Sequence, residues 1–333
     1  MWRLMKSVAL AKLARIVVDK LMGIKEGELV TIFTDVEANQ NIAQAVLGAA
    51  YEVGAEAILV TMTPREYVGI SVKGGLPSTL ISCLKNSNAA IACTTRSVLW
   101  PMTELRQEML RAGSRLMHMY LLNEEIALRT IPIDYEQLKN RVNKAASLFP
   151  KAEKVRITSR EGADVTFSLK NRTVAMMSDG YCRPGELDMI PSGYVGISPV
   201  EGTANGTVVL DGAESGLGIG LIREPIVCDV KNGRITDVRG GFEARRLKKK
   251  MESADQNATN YAELGVGFNP GALPNTGNMV EDERCGGNIL VGIGRNSHMG
   301  GKVESNFHFD SLIMNATLTV DGQLFLKDGA FQI

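Results

Sequence analysis

The sequence is poor in cysteine and in long apolar segments, and it has no excess of charge of either sign. Only five cysteines occur in 333 residues, an odd number without a C-x-x-C pair, so we expect no disulfide framework and a reducing cytoplasmic setting. No apolar run approaches the ~18–20 residues that a membrane span needs. Lys plus Arg and Asp plus Glu each number 37, which gives no basic surface for nucleic acid.

The length predicts about two domains, and the pattern of elements changes near residue 150. In the first ~120 residues, strands expected at 29–33, 57–62, 89–94 and 116–120 alternate with helical patterns, as in the βαβ units of a parallel sheet. No glycine-rich phosphate loop follows the first strand, which argues against nucleotide binding by such a loop. We therefore expect an α/β N-terminal domain over residues 1–150, doubly wound around a mostly parallel sheet.

The second half of the sequence has short alternating strands separated by turn residues. Segments 226–230 and 234–238 flank Asn232-Gly233, a strong signal for a two-residue hairpin. Glycine accounts for 34 residues, and most of its excess lies after residue 180. This pattern predicts an α+β, β-rich C-terminal domain over residues 151–333.

Histidine is scarce, so each of the three histidines can be considered in turn. His118 lies within an apolar strand and is typical of a core histidine. His308 and Asp310 are two residues apart in N-F-H-F-D, and alternate residues of a strand point to the same face. An imidazole and a carboxylate on one face suit a divalent transition metal, although a surface His–Asp pair is the open alternative.

An acidic residue upstream extends this candidate metal site. Glu263 stands in Y-A-E-L-G-V-G-F-N-P-G, an apolar segment in which a buried carboxylate needs a partner or a metal. The glycines that precede His308 indicate close approach of a ligand to the backbone. Glu263, His308 and Asp310 are therefore predicted to hold one divalent ion, Zn, Mn, Co or Fe(II), with open positions for water and substrate. In the alternative, Glu263 caps a neighbouring loop.

Several segments of the second half resemble the aminopeptidase T/leucyl aminopeptidase family of metallopeptidases and its dihydroxypyridine dioxygenase-like relatives. The resemblance covers most of residues 185–333 and depends on the order and spacing of its segments. These are IPSGYVGISPVEGTANGTVVLDG at 190–212, AELGVGFNPGA at 262–272, EDERCGGNILVGIG at 281–294 and HFD at 308–310. It implies a small-molecule or short-peptide substrate and homo-oligomerisation. The balanced charge and the lack of a long apolar run predict no nucleic-acid or membrane partner.

The resemblance implies only part of the ligand set of the two-metal peptidases. Glu263, His308 and Asp310 match that set, but Tyr194 stands where the peptidases have Glu after P-S-G, and Asn288 stands where they have His. A single ion is therefore the more economical interpretation. The dioxygenase relatives bind one iron through two histidines and a carboxylate and have His at the position of Glu263, so the chain departs from both patterns.

From the resemblance, we predict a metal-dependent hydrolase that cleaves peptide or amide bonds through a metal-activated water. That reaction needs a base and an oxyanion donor, for which Glu283 and Tyr194 are the candidates. His298 and Arg295, in the loop before H-x-D, are candidate substrate contacts, and His298 is also a candidate ligand. Two alternatives stay open: a mononuclear non-haem Fe(II) ring-cleaving dioxygenase, and a degenerate family member that acts in binding.

Overall fold

The computed structural model describes residues 2–68, 71–99 and 102–332. In the described ranges, none of the helices has the length and apolar content that crossing a bilayer requires. A π-helical turn (Ile16–Leu21) and three 3₁₀ turns (Phe149–Lys151, Gln256–Thr259 and Ser297–Met299) supplement the α-helices. The α-helices are α1 (Trp2–Arg15), α2 (Gln40–Glu52), α3 (Ser78–Lys85), α4 (Thr103–Arg111), α5 (Glu124–Thr130), α6 (Tyr135–Leu148), α7 (Phe242–Glu252) and α8 (Met279–Asp282).

The strands are short, and most of them lie in the second half of the chain. They are β1 (Leu29–Asp35), β2 (Glu56–Met62), β3 (Tyr67–Val68), β4 (Ser71–Val72), β5 (Ala89–Cys93), β6 (Arg115–His118), β7 (Val155–Thr158), β8 (Asp164–Phe167), β9 (Met176–Ser178), β10 (Leu187–Met189), β11 (Tyr194–Ile197), β12 (Asn205–Leu210), β13 (Glu214–Ser215), β14 (Ile226–Lys231), β15 (Arg234–Arg239), β16 (Tyr261–Gly267), β17 (Ile289–Gly294), β18 (His308–Ile313), β19 (Thr317–Val320), β20 (Gln323–Lys327) and β21 (Ala330–Phe331).

One compact unit comprises Met1–Tyr135 and Gly180–Ser192. Its sheet has the strand order β10-β6-β5-β1-β2, and all of the pairings are parallel. Along β1, every residue after Leu29 is buried, as expected for a parallel strand that is covered on both faces. The parallel sheet expected in the N-terminal half is therefore confirmed.

The other compact unit comprises Glu136–Asp179 and Gly193–Ile333 and contains two antiparallel sheets. One has six strands in the order β13-β18-β17-β16-β11-β9, and the other has eight in the order β15-β14-β12-β8-β7-β19-β20-β21. The predicted hairpin joins β14 to β15, and Asn232 and Gly233 both have the positive φ (49° and 73°) that such a turn requires. The β-rich character of the second half is confirmed.

The two units do not divide the chain at residue 150. Most of α6 belongs with the antiparallel sheets, where Arg141 lies over the ring of Phe331. Conversely, β10 returns to the first unit, because Leu187 pairs with Leu116 at the edge of the parallel sheet. Pairing between such distant segments leaves no local pattern in the sequence. The division into an α/β domain over residues 1–150 and a β-rich domain over residues 151–333 stays a prediction.

Candidate metal centre

Glycines on neighbouring strands of the six-stranded sheet leave room for larger polar side chains. Gly196 on β11 pairs with Gly265 on β16, while Gly292 on β17 lies between Glu263 and Asp310 in the strand register. A Cβ atom on Gly292 would lie 2.7 Å from Cβ of Glu263 and 3.1 Å from Oδ1 of Asp310. The two acidic side chains therefore converge over bare backbone.

Glu263 is a buried carboxylate with a specific partner. Its side chain is held by the Tyr194 hydroxyl, which donates a hydrogen bond of 2.8 Å to Oε1. Burial and the nearby Asp310 carboxylate raise the pKa of Glu263, against the opposing effects of His308 and Tyr194. Burial and the Glu263 carboxylate likewise raise the pKa of the Tyr194 phenol, so it stays a donor. The alternative of a loop-capping glutamate is not what the structure shows.

His308 and Asp310 lie side by side at the start of β18, as their spacing predicts. Nδ1 of His308 is 2.9 Å from the backbone oxygen of Arg295. A carbonyl oxygen only accepts, so Nδ1 carries the hydrogen and Nε2 faces Oδ1 of Asp310 at 3.1 Å. Burial opposes the charged imidazole, but the carboxylates of Asp310 and Glu263 raise the pKa of His308 to about 9. A proton or a metal cation is therefore needed between Nε2 of His308 and Oδ1 of Asp310, because both atoms carry a lone pair.

The second imidazole comes from the 3₁₀ turn Ser297–Met299. The rings of His298 and His308 are nearly perpendicular, with centroids 4.6 Å apart. One potential ligand atom from each of Glu263, His298 and His308 lies within 4.8 Å of the other two. Asp310 is not a member of this group, but its carboxylate contacts His308. The structure thus gathers the three predicted ligands and the predicted contact His298 in one place.

The segment that carries His298 is anchored by a buried polar network. Nδ2 of the fully buried Asn296 donates hydrogen bonds to Oγ of Ser198 (2.8 Å) and to Oε1 of Glu201 (3.0 Å). Glu201 also forms an ion pair with Arg172. These contacts connect the turn to the neighbouring loops and limit the positions that the His298 ring can take.

Glu283, the predicted catalytic base, lies beside the cluster rather than in it. Its carboxylate forms an ion pair with Arg284, a fully buried residue whose guanidinium carbon is 5.4 Å from the centroid of the Tyr194 ring. Sequence reasoning missed Arg284, because a buried arginine within a charged segment looks like an ordinary surface residue.

Two further residues singled out in the sequence have structural contacts. Asn288 donates a 2.7 Å hydrogen bond from Nδ2 to the backbone oxygen of Asp282 and is not a ligand in this arrangement. Arg295 contacts the cluster through its backbone oxygen, while burial lowers the pKa of its guanidinium.

The donors present fit a divalent transition metal. Nε2 of His308 and Oδ1 of Asp310 lie 3.1 Å apart, so both donors would be within reach of one ion, and Oδ1 is buried without a well-formed hydrogen bond within the described residues. A histidine that donates its other N–H to a backbone carbonyl is typical of metal ligands. Two imidazoles with a carboxylate are typical of non-haem Fe(II) oxygenases.

Comparison with known proteins shows the enzyme family to which the chain belongs. The family model described as NicX, 2,5-dihydroxypyridine 5,6-dioxygenase, matches residues 12–333. The chain belongs to this family. A 2,5-dihydroxypyridine 5,6-dioxygenase of Pseudomonas putida KT2440 is 28% identical over 235 residues, which cover 67% of this chain and 66% of the relative. The alignment thus spans slightly less than two thirds of the relative's length.

Solved structures show the same fold over almost the whole chain. The 2,5-dihydroxypyridine dioxygenase of Pseudomonas putida KT2440 superposes with a TM-score of 0.81 at 22% identity, covering 98% of this chain and 97% of the other. Wild-type AmpT from Thermus thermophilus gives a TM-score of 0.67 at 14% identity, covering 98% and 99%. At these identities the likeness concerns the fold alone. It agrees with the resemblance to the aminopeptidase T family and to its dioxygenase-like relatives that the sequence predicts.

The predicted hydrolase is wrong. The NicX family match and the relative from Pseudomonas both name a 2,5-dihydroxypyridine 5,6-dioxygenase, which agrees with the dioxygenase alternative drawn from the resemblance. The structure supplies a physical reason, because the two positions at which the peptidase pattern expects further ligands hold Tyr194 and Asn288. Both side chains are engaged in hydrogen bonds, to Glu263 and to Asp282 respectively. The roles of Glu283 and Tyr194 in amide hydrolysis lapse with this correction.

Proposed function

We propose that the protein is an Fe(II)-dependent dioxygenase that opens the ring of a dihydroxylated pyridine or a closely similar hydroxylated aromatic compound. The observation that carries this proposal is the group formed by Glu263, His298 and His308, whose ligand atoms lie within 4.8 Å of one another. Two imidazoles and a carboxylate are the donors typical of mononuclear Fe(II) oxygenases. Membership of the NicX family supports the same chemistry.

We assign Glu263, His298, His308 and Asp310 as the residues that would hold the ion. When bound, iron would supply the centre at which dioxygen and the electron-rich ring react. The protein's own part is to orient these donors: the Arg295 carbonyl fixes the His308 tautomer, and the anchored turn presents His298. Asp310 places a negative charge 3.1 Å from Nε2 of His308, which favours a cation at that atom.

Arg295 is the proposed substrate contact. Its Nε is buried and makes no hydrogen bond within the described part of the chain, so it retains a donor for an oxygen substituent of the ring. Desolvation lowers the pKa of the guanidinium, although the group stays charged near neutrality. The backbone oxygen of Arg295 contacts His308, so the residue adjoins the proposed metal centre, and its planar cation would suit an anionic ring hydroxyl.

The test is anaerobic reconstitution with Fe²⁺ followed by oxygen-uptake measurements with 2,5-dihydroxypyridine. We expect about one iron per chain and consumption of dioxygen coupled to loss of the aromatic absorption. The variants Glu263→Gln and His308→Ala should lose both the iron and the activity. Glu252→Gln is the matched control, because this glutamate is exposed at the end of α7 and is neither a proposed ligand nor a proposed substrate contact. Equal iron in His308→Ala and wild type, or no oxygen uptake by the loaded wild type, overturns the proposal.

A further inference from the structure

We propose that Tyr194 is a positioning residue that occupies one oxygen of Glu263 and thereby restricts this carboxylate to single-oxygen coordination of the ion. The inference rests on the proposed metal centre and concerns how many coordination positions the protein leaves open. It replaces the direct role in catalysis that the sequence suggested for Tyr194.

The first argument is the fixed place of the phenol. Tyr194 is 2% exposed, and its hydroxyl lies 2.8 Å from Oε1 of Glu263. The ring lies over Gly265 and Gly196. An added Cβ atom on Gly265 would clash with Oη, and one on Gly196 would lie 2.8 Å from Cε1. Bare backbone on two strands thus forms the space for this one ring, and its hydroxyl points at the carboxylate.

The second argument is the buried cation behind the ring. The Arg284 guanidinium carbon is 5.4 Å from the Tyr194 ring centroid, and Arg284 is itself paired with Glu283. A cation over the face of a phenol polarises it and strengthens its donated hydrogen bond. The four side chains form a line of contacts from Glu283 through Arg284 and Tyr194 to Glu263. The fully buried Arg284 thus has a carboxylate on one side and the face of the Tyr194 ring on the other.

The consequence for the ion follows from the two oxygens of a carboxylate. A carboxylate can bind a metal through one oxygen or through both. The phenol hydrogen bond takes one lone pair of Oε1 and makes this oxygen a weaker donor, so Oε2 is the oxygen that would bind the ion. Removal of the hydroxyl frees Oε1, so that Glu263 would chelate through both oxygens and take one more position. The Tyr194 hydroxyl therefore protects a position that an oxygenase needs for substrate or dioxygen.

The experiment uses Co²⁺ as the probe in the full chain, because its visible absorption reports coordination number. The test variant is Tyr194→Phe, and the matched control is Tyr261→Phe. Tyr261 is also a buried tyrosine, two residues before Glu263 on β16, and its hydroxyl makes no hydrogen bond within the described residues. We expect Tyr194→Phe to bind Co²⁺ with a weaker and shifted visible band and an affinity changed by ~10–100-fold. Tyr261→Phe should match the wild type.

The outcomes separate this inference from the metal centre itself. A folded Tyr194→Phe protein with the wild-type Co²⁺ spectrum overturns the role of Tyr194. If Glu263→Gln and wild type bind Co²⁺ equally, the proposed metal centre fails, whatever Tyr194 does. Should Tyr194→Phe not fold, Gly265→Ala displaces the hydroxyl instead, since its Cβ would meet Oη. A folded Gly265→Ala protein must then show the spectral change, and a wild-type spectrum refutes the inference.

Discussion

Replacement of Gly292 by alanine tests whether the bare backbone beneath the cluster is what allows the donors to converge. Gly292 lies between Glu263 and Asp310 across three neighbouring strands. It is not among the residues with positive φ, so its backbone accepts an alanine without strain. The effect of the substitution is therefore confined to the space that the new methyl group takes.

The magnitude follows from the distances. The new Cβ would lie 2.7 Å from Cβ of Glu263, whereas carbon atoms in favourable contact lie at about 3.5 Å or more, a shortfall of about 0.8 Å. Cβ of Glu263 is attached directly to the backbone and cannot rotate away, so strand β16 itself must shift. Overpacking of this kind costs about 1–3 kcal/mol of stability. Displaced metal ligands should lower the affinity for Co²⁺ or Fe²⁺ by ~10–100-fold.

Metal titration by calorimetry and a thermal melt measure the two effects on one preparation. The control is Gly286→Ala, where the nearest atom to the new Cβ, the backbone oxygen of Asn269, is 3.4 Å away and φ is not positive. We expect Gly286→Ala to keep the wild-type metal affinity. A Gly292→Ala protein that binds metal as tightly as the wild type and melts at the same temperature would refute the steric argument.

Two further predictions concern the second compact unit and the cysteines. Burial opposes ionisation of Glu201, but hydrogen bonds from the Lys302 backbone, Asn296 and Arg172 lower its pKa below 4.5. Glu201→Gln should therefore lower the free energy of unfolding by on the order of 1 kcal/mol at pH 7. This loss should become smaller as the pH falls from about 4.5 through the lower pKa of the folded state. A difference in stability between variant and wild type that does not change with pH, measured by urea denaturation, contradicts the prediction. Iodoacetamide should modify Cys83 alone in the folded protein, because the other cysteines are buried and burial raises the pKa of Cys93 to about 12. Mass spectrometry that shows a second modified thiol in the folded protein contradicts this prediction.

Local elements could be predicted well from the sequence, because their signals lie within the elements. The strand expected at 29–33 is β1 (Leu29–Asp35), and the strand expected at 57–62 is β2 (Glu56–Met62). The Asn232-Gly233 hairpin also forms as predicted. What could not be predicted is the placement of β10, whose three residues join a parallel sheet built mainly from the first 118 residues. Partner choice across the chain depends on tertiary packing, which a short strand does not encode locally.

Part of the candidate site could be predicted from the sequence, and part depends on contacts between distant segments. The two-residue spacing of His308 and Asp310 on one strand face needs only the alternation of side chains. The alignment of Glu263 with Gly292 and Asp310 depends on strand register and on the bulge between Tyr261 and Glu263, which the sequence does not show. The approach of His298 depends on contacts between Asn296 and Glu201, 95 residues apart in the chain.

The error about reaction class has a physical cause that extends beyond this chain. Fold likeness reaches both a dioxygenase and AmpT, so the scaffold alone cannot separate oxygen chemistry from hydrolysis. The segments that resemble both groups supply Glu263, His308 and Asp310, donors that suit either reaction. The two reactions are distinguished by the residues around these donors. Such residues either offer further ligands for a second ion or orient the ligands of a single ion. Here Tyr194 donates its hydrogen bond to Glu263, so this position orients a proposed ligand rather than adding one, which agrees with the proposal of a single ion.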